Sequence, residues 1–260
     1  MLDIRFGLIA SEIACCPEDV QCHIRYLEYR VEITEDAAQC SGTGGPCTAH
    51  APDVQCDNAI GVFEALAAQP RVMLVNVHAR PSDEYTLCQS CGRRLVNSKQ
   101  AAQRCDHCGT SLADWQIDPA VQADGFSQVI SQLELAQDIL ARANKRLTVE
   151  NTYEPPHLMR KILDALPQSV GFTLDVGHAM IYHGNPIEYI DILADRLCHL
   201  HLHDNLGGNS EMFHDLHLPP GFGRGEWLAI RRALERIGFR GTATFECMPR
   251  LDWIESWIEA

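Results

Sequence analysis

The sequence predicts an α/β protein, a closed (β/α)8 TIM barrel with a small inserted zinc-ribbon subdomain. Three observations lead there. Short apolar segments alternate with stretches of helical periodicity, which argues for a parallel sheet. Eight such segments in 260 residues match the size of one closed barrel. Acidic and imidazole side chains stand at the C-terminal ends of these segments, the end where such barrels place their sites. An open doubly wound sheet is the structural alternative, but no Gly-x-Gly-x-x-Gly follows an early strand.

Taken in order, Ile4 to Ala10 mixes charge into a short apolar run and reads as a first strand, not a signal peptide. Pro17 to about Arg25 suits a short helix. Tyr26 to Ile33 alternates and is rich in β-branched and aromatic residues, a second strand. Residues 34–46 carry Ser-Gly-Thr-Gly-Gly-Pro and read as loop. Cys47 to Ala51 is a third strand ending at His50. Asp57 or Asn58 caps a helix with Ile60, Phe63, Leu66 and Ala67 inward, ended by Pro70. Arg71 to Ala79 is a near-continuous apolar run ending at His78, as a strand buried on both faces requires.

After residues 81–123, a helix spans about Asp124 to Asn144, with Val129, Leu133, Ala136 and Leu140 at helical spacing. Leu147 to Glu150 is a strand. Pro155-Pro156 opens a helix with Leu158, Ile162, Leu163 and Leu166 inward. Val170 to Asp175 is a strand, and Asn185-Pro186 caps a helix reaching Asp195. Leu197 to Leu202 is a buried strand followed by a Gly-rich turn. Glu226 to Ile237 is a helix closed by Gly238, Thr242 to Cys247 the last strand, and Trp253 to Ile258 a short final helix.

Lys+Arg number 21 against Asp+Glu 35, a formal net charge of −14. Such a field repels phosphate backbones, and no basic run exceeds Arg93-Arg94 or Arg231-Arg232. No stretch approaches the apolar length of a membrane span. Twelve cysteines in a long chain without a secretory signal point to a reducing, cytoplasmic compartment.

The chemistry concentrates around the seventh strand. His201, His203 and Asp204 crowd its end, and Asp215 and His217 follow one loop later. Packing this many imidazoles and carboxylates together needs a compensating charge, and a divalent metal supplies it. By strand ends the full candidate set is His50, His78, Glu150, Asp175 with His178, His201, Asp215 with His217, and Glu246. These gather only if the sheet closes. His203 and Asp204 are candidates to orient ligands, and His203 also to meet substrate. His214 reads as a solvated loop residue, and Arg224, in Gly-Phe-Gly-Arg-Gly, as a partner for an anionic substrate group.

Val-Glu150-Asn-Thr, Leu-Asp175-Val-Gly-His178, His201-Leu-His-Asp, Asp215-Leu-His217-Leu-Pro-Pro-Gly and Phe-Glu246 resemble the xylose-isomerase-like barrel superfamily. That superfamily holds sugar and sugar-phosphate isomerases and epimerases, and also endonuclease IV. The isomerase branch implies one metal (Zn, Mn, Co or Mg) on Glu150, Asp175, His201 and Glu246. Glu150 and Glu246 would double as the acid/base pair, and His178 would touch a small sugar-like substrate. The endonuclease IV branch implies three zinc ions on all nine candidates. Two features oppose DNA as substrate: the net charge of −14, and Ala51-Pro52-Asp53 after His50 where that branch carries an aromatic-aliphatic wedge.

The domains are therefore expected as a barrel over 1–80 and 124–260, and an insert over 81–123. The insert carries Cys88-Gln-Ser-Cys91-Gly and Cys105-Asp-His-Cys108-Gly, two Cys-x-x-Cys knuckles that resemble a zinc ribbon. Four thiolates fill the shell of a Zn2+ ion, so this site is structural. Placed after His78, the insert is expected to hang over the site as a lid or as a docking element for a protein partner. A homo-oligomer is left open. Among the remaining cysteines, Cys40 and Cys47 flank the Gly-rich loop.

Overall fold

The computed structural model describes residues 2–41, 43–79, 85–87, 94–96, 119–152, 154–182, 185–206 and 215–258. Eight parallel strands close into a barrel: β1 (Asp3–Ile9), β2 (Tyr26–Arg30), β3 (Cys47–His50), β4 (Val72–His78), β7 (Arg146–Glu150), β8 (Gly171–Asp175), β9 (Leu197–Leu202) and β10 (Arg240–Phe245). The order around the barrel is β1-β10-β9-β8-β7-β4-β3-β2. Two further strands, β5 (Tyr85–Leu87) and β6 (Arg94–Val96), pair antiparallel as a separate two-stranded sheet. Each barrel strand lies within the segment the sequence predicts, give or take a residue or two.

The helices follow the same agreement. They are α1 (Glu18–Gln21), α2 (Ala59–Ala67), α3 (Pro119–Arg142), α4 (Pro156–Asp164), α5 (Val176–Tyr182), α6 (Pro186–Ile192), α7 (Trp227–Arg236) and α8 (Leu251–Ile258). Asn185 caps α6 as expected, its side chain accepting from Ile187 N at 3.1 Å. Asn58 holds the N-cap position of α2 but does not cap it; its amide donates instead to Glu32 O at 2.7 Å. Four elements depart from expectation. Residues 34–46 are not all loop, since Thr34–Cys40 winds as 3-10 helix, as does Ala10–Cys15. Helix α5 is new: it begins on the residue after β8, leaving no loop signal in the sequence to announce it. Helix α3 starts at Pro119, earlier than the expected Asp124.

Alternation along each strand sorts the side chains into two layers. Outward residues such as Val75, Val77, Leu147, Val149, Leu200, Leu202 and Phe245 are buried beneath the helices. Helix α7 adds Trp227, Ile230 and Leu234 to this apolar layer, each such burial stabilising by about 2 kcal/mol. Inward residues are polar instead: Glu28, Thr48, Asn76, Thr148, Thr173, His199, Thr242 and Thr244 are all buried inside the barrel. Gly7 is required there, because a Cβ would strike the ring of Tyr26, its register partner. The barrel interior is thus a hydrogen-bonded plug, and the apolar core lies outside it.

Candidate metal centre

Strand register decides which predicted residues meet. His78 pairs with Glu150 across β4 and β7, and Asp175 with His201 across β8 and β9. Glu246 follows β10 directly, and its backbone N–H reaches Leu202 O at 3.3 Å. His50 closes β3 and His178 stands in the first turns of α5. The side chains therefore converge on the C-terminal rim, as the sequence predicts.

His201 is the hub. It has no exposed surface, and its Nδ1 lies 3.1 Å from Glu246 Oε1, 3.3 Å from Glu150 Oε2 and 3.8 Å from Asp175 Oδ2. Its Nε2 lies 3.0 Å from Glu28 Oε1. Neither ring nitrogen makes a hydrogen bond of acceptable geometry, although both are buried. Burying such a group without a directed partner is costly unless a ligand completes it.

The other imidazoles show a common device. His50 Nδ1–H donates to Ala51 O at 3.0 Å, His178 Nδ1–H to Asn151 O at 3.1 Å, and His217 Nδ1–H to Glu246 O at 3.1 Å. His78 Nδ1 lies 3.0 Å from Asp53 Oδ1. Fixing one nitrogen leaves the other as a lone pair of set direction, the arrangement that orients metal-binding imidazoles. The Nε2 atoms of His50 and His78 lie 3.2 and 3.4 Å from Glu150, and those of His217 and His178 3.2 and 3.4 Å from Asp215. All nine predicted ligands thus belong to one connected mesh. Five triads within it and its floor bring His, Asp and Glu ligand atoms within 4.8 Å of one another, among them His50–Glu150–His201 and Asp175–His201–Glu246. The donor set, the oriented imidazoles and the unsatisfied His201 nitrogens fit a divalent cation.

Electrostatics point the same way. Burial pushes the Glu150 carboxyl up, but His201, His78 and His178 outweigh it and hold it well below the ordinary range. Asp175 is lowered against its burial by His178 and His203, and Asp215 by His178 and His217. Conversely, burial lowers His201, yet Glu150, Glu28 and Glu246 raise it well above its usual value; His178 is raised likewise by Asp175, Asp215 and Glu150. His217 is raised to about 9 by Asp215 and Glu246 despite burial. The mesh attracts positive charge, and protons and metal ions compete for it.

His203 is wholly buried, with Nε2 3.0 Å from Asp175 Oδ1 and its ring stacked on His217 at 4.0 Å between centroids. That placement suits an orienting role. Asp204 does not orient ligands. It accepts from Gly221 N, Gly225 N and Trp227 Nε1 at 2.8–2.9 Å and so staples the loop that leads into α7. Arg224 is exposed in that loop. His214 and the four knuckle cysteines, Cys88, Cys91, Cys105 and Cys108, lie outside the described residues.

Sequence reasoning missed the floor of the site. Glu28 and His199 face each other inside the barrel, His199 Nε2 3.2 Å from Glu28 Oε2, with Thr48 Oγ1–H donating to the same carboxylate at 2.7 Å. Imidazoles of His201 and His199 outweigh burial and hold Glu28 well below its ordinary value, while burial lowers His199. Asn76 donates to Glu150, and Asn151 braces Asp175 by accepting from its N–H at 2.9 Å. The alternating His-Leu-His-Leu-His signal could have flagged His199; nothing local marks Glu28.

Fold and rim together define a closed parallel barrel whose C-terminal mouth gathers imidazoles and carboxylates of the metal-ligand type. The chain belongs to the xylose isomerase-like TIM barrel family, whose model matches residues 20–260. A search of curated proteins finds no significant match. Among solved structures the chain is similar to a D-tagatose 3-epimerase-like protein, at 15% identity and TM-score 0.64, covering 98% of this chain and 97% of that one. It is similar to the 3-keto-D-glucoside 4-epimerase YcjR from E. coli, at 15% identity and TM-score 0.62, over 99% of this chain and all (100%) of that one. The IOLI protein with a bound zinc atom aligns at 14% identity and TM-score 0.61, over 98% and 94% of the two chains. At these identities the likeness speaks for the fold.

Proposed function

We propose that the protein is a metal-dependent isomerase or epimerase of a sugar or sugar-like substrate, working by metal-assisted proton transfer. One observation carries the reading: Glu150, Asp175 and Glu246, from three different strand ends, all close on Nδ1 of His201. The family, and the epimerases among its structural neighbours, support it. Glu150, Asp175, His201 and Glu246 would hold a divalent cation, which would supply Lewis acidity to the substrate oxygens. Glu150 and Glu246 reach the mouth from opposite flanks of β8 and β9. One carboxylate therefore takes the proton from the carbon between those oxygens, and the other returns it from the opposite face. His178, fixed through Nδ1, holds a substrate hydroxyl, and Arg224 meets an anionic group where the substrate has one.

A second reading, a multinuclear zinc phosphodiesterase or abasic-site nuclease, is favoured by the mesh itself, since His50, His78, His178, Asp215 and His217 join the quartet. Against it, Ala51 and Pro52 are buried and Asp53 is tied to His78, so the segment after His50 projects no wedge beside the site. We also propose that Cys88, Cys91, Cys105 and Cys108 bind a structural zinc in the insert over 81–123, that the insert docks a protein partner or covers the mouth, and that the chain works in a reducing cytoplasm. Among the described residues, no helix is long and apolar enough to cross a membrane.

Elemental analysis with solvent-deuterium exchange tests the reading. Exchange of a substrate C–H across a sugar panel, by a chain loaded with metal in the barrel, is the expected result. Cleavage of an abasic duplex without any exchange would replace the first reading by the second.

A further inference from the structure

Asn205 follows His203 by two residues and has no exposed surface. Every polar group it carries is engaged. Its backbone N–H donates to Asp204 Oδ1 and its carbonyl accepts from Arg224 N, both at 2.9 Å. Its side-chain Oδ1 accepts from Leu216 N at 2.7 Å. A backbone N–H can only donate, so that contact fixes which end of the amide is oxygen. The other end is therefore Nδ2, and it faces Asp215 Oδ1 at 3.2 Å and His203 Nδ1 at 3.4 Å.

The consequence falls on His203. An amide nitrogen can only donate, so His203 Nδ1 accepts and the ring proton sits on Nε2. Asp215 Oδ1, at 3.6 Å from Nδ1, is beyond hydrogen-bond length. Nε2–H then donates to Asp175, 3.0 and 3.1 Å from its two carboxylate oxygens. The ring is held in this pose. It is wholly buried, stacks on His217 at 4.0 Å between centroids, and lies against Gly177, where a Cβ would strike it.

Two of the five triads able to hold a cation contain His203, namely Asp175–His178–His203 and His203–His217–Glu246. A protonated Nε2 has no lone pair to give, and the lone pair of Nδ1 is taken by the Asn205 amide. We propose that Asn205 is a positioning residue. It locks His203 as a hydrogen-bond donor to Asp175, which keeps His203 out of the cation's ligand set and braces the Asp175 carboxylate. Asp175 Oδ1 also accepts from His178 N at 2.7 Å, which leaves Oδ2, 3.8 Å from His201 Nδ1, as the edge open to a cation. The effect on the cation rests on the metal-dependent reading proposed above; the tautomer does not.

The test is Asn205→Asp. This substitution keeps the oxygen that Leu216 N needs and the size of the side chain, and replaces both N–H donors by an acceptor. Histidine labelled with nitrogen-15 reports the tautomer through two-bond nitrogen–proton correlation, the His203 signal being identified by its loss in His203→Gln. The wild-type chain should show Nε2–H on His203, and Asn205→Asp should show Nδ1–H. Binding of Zn2+ in competition with a chelator should weaken by about 10- to 100-fold in Asn205→Asp. It is measured with Cys91→Ser in both chains, so that the knuckles do not contribute. The added negative charge alone would tighten binding, so the sign separates the two effects. Nδ1–H in the wild type would overturn the proposal, as would a natively folded Asn205→Asp chain that binds Zn2+ as tightly as wild type. A wild-type barrel that takes up no Zn2+ would sink the metal centre itself, and the positioning role with it.

Discussion

The two ends of the barrel bury charge in opposite ways. At the N-terminal face Arg196 donates to the carbonyls of Leu163, Leu166, Pro167 and Val170 at 2.7–3.2 Å, and Lys145 to Gln69 O and Val72 O. These cations are answered by fixed backbone and complete the structure around them. At the C-terminal rim the imidazoles and carboxylates answer mainly to one another, and His201 finds no directed partner on either nitrogen. Buried charge satisfied by carbonyls is finished architecture; buried charge satisfied only by its mutual opposites has a place for a cation.

Substitutions at each end sharpen this contrast. Glu150→Gln should lower turnover by about 10³-fold and strip metal from the barrel, because it removes both a ligand and a proton acceptor; elemental analysis and exchange kinetics measure it, and retained metal with full activity would sink the site. Arg196→Met should do the reverse, costing ~3 kcal/mol in urea unfolding as several carbonyls lose their donor, with metal content unchanged. Glu28→Gln should weaken metal binding by roughly 10- to 100-fold without unfolding the chain, since it loosens His201 from below. Competition titration against a chelator reads that loss.

The pH dependence separates protons from metal. His217 is raised from an ordinary 6.5 to about 9, so its contribution to stability is full below pH 6.5 and is lost as pH rises through about 9. The metal-free chain should therefore melt at a lower temperature at pH 9 than at pH 6.5. Added cation should abolish the difference, because the ion takes the place of the proton. The smallest effect belongs to the insert: Cys91→Ser should remove one zinc per chain and leave exchange at the barrel unchanged.

Much of the rim was legible because a parallel barrel needs the same local pattern many times. Each of β3, β4, β7 and β8 ends its apolar run on a ligand-type residue, and counting strand ends finds His50, His78, Glu150 and Asp175. Glu28 was not legible. It sits among Tyr26, Tyr29 and Arg30 like any charged strand residue, and only closure carries it across the barrel to His199 and His201. Asp204 misled for the converse reason, since proximity in sequence to His203 says nothing about the loop it turns to staple.

By itself, then, the sequence determined the strands, their alternation and most of the ligand-type residues at the rim, because those depend on residue type and short-range period. The tertiary structure alone decided which carboxylate faces which imidazole and that the interior would be polar beneath the rim. Those outcomes depend on register and ring closure, which bring together residues such as Glu28 and His201 from opposite ends of the chain.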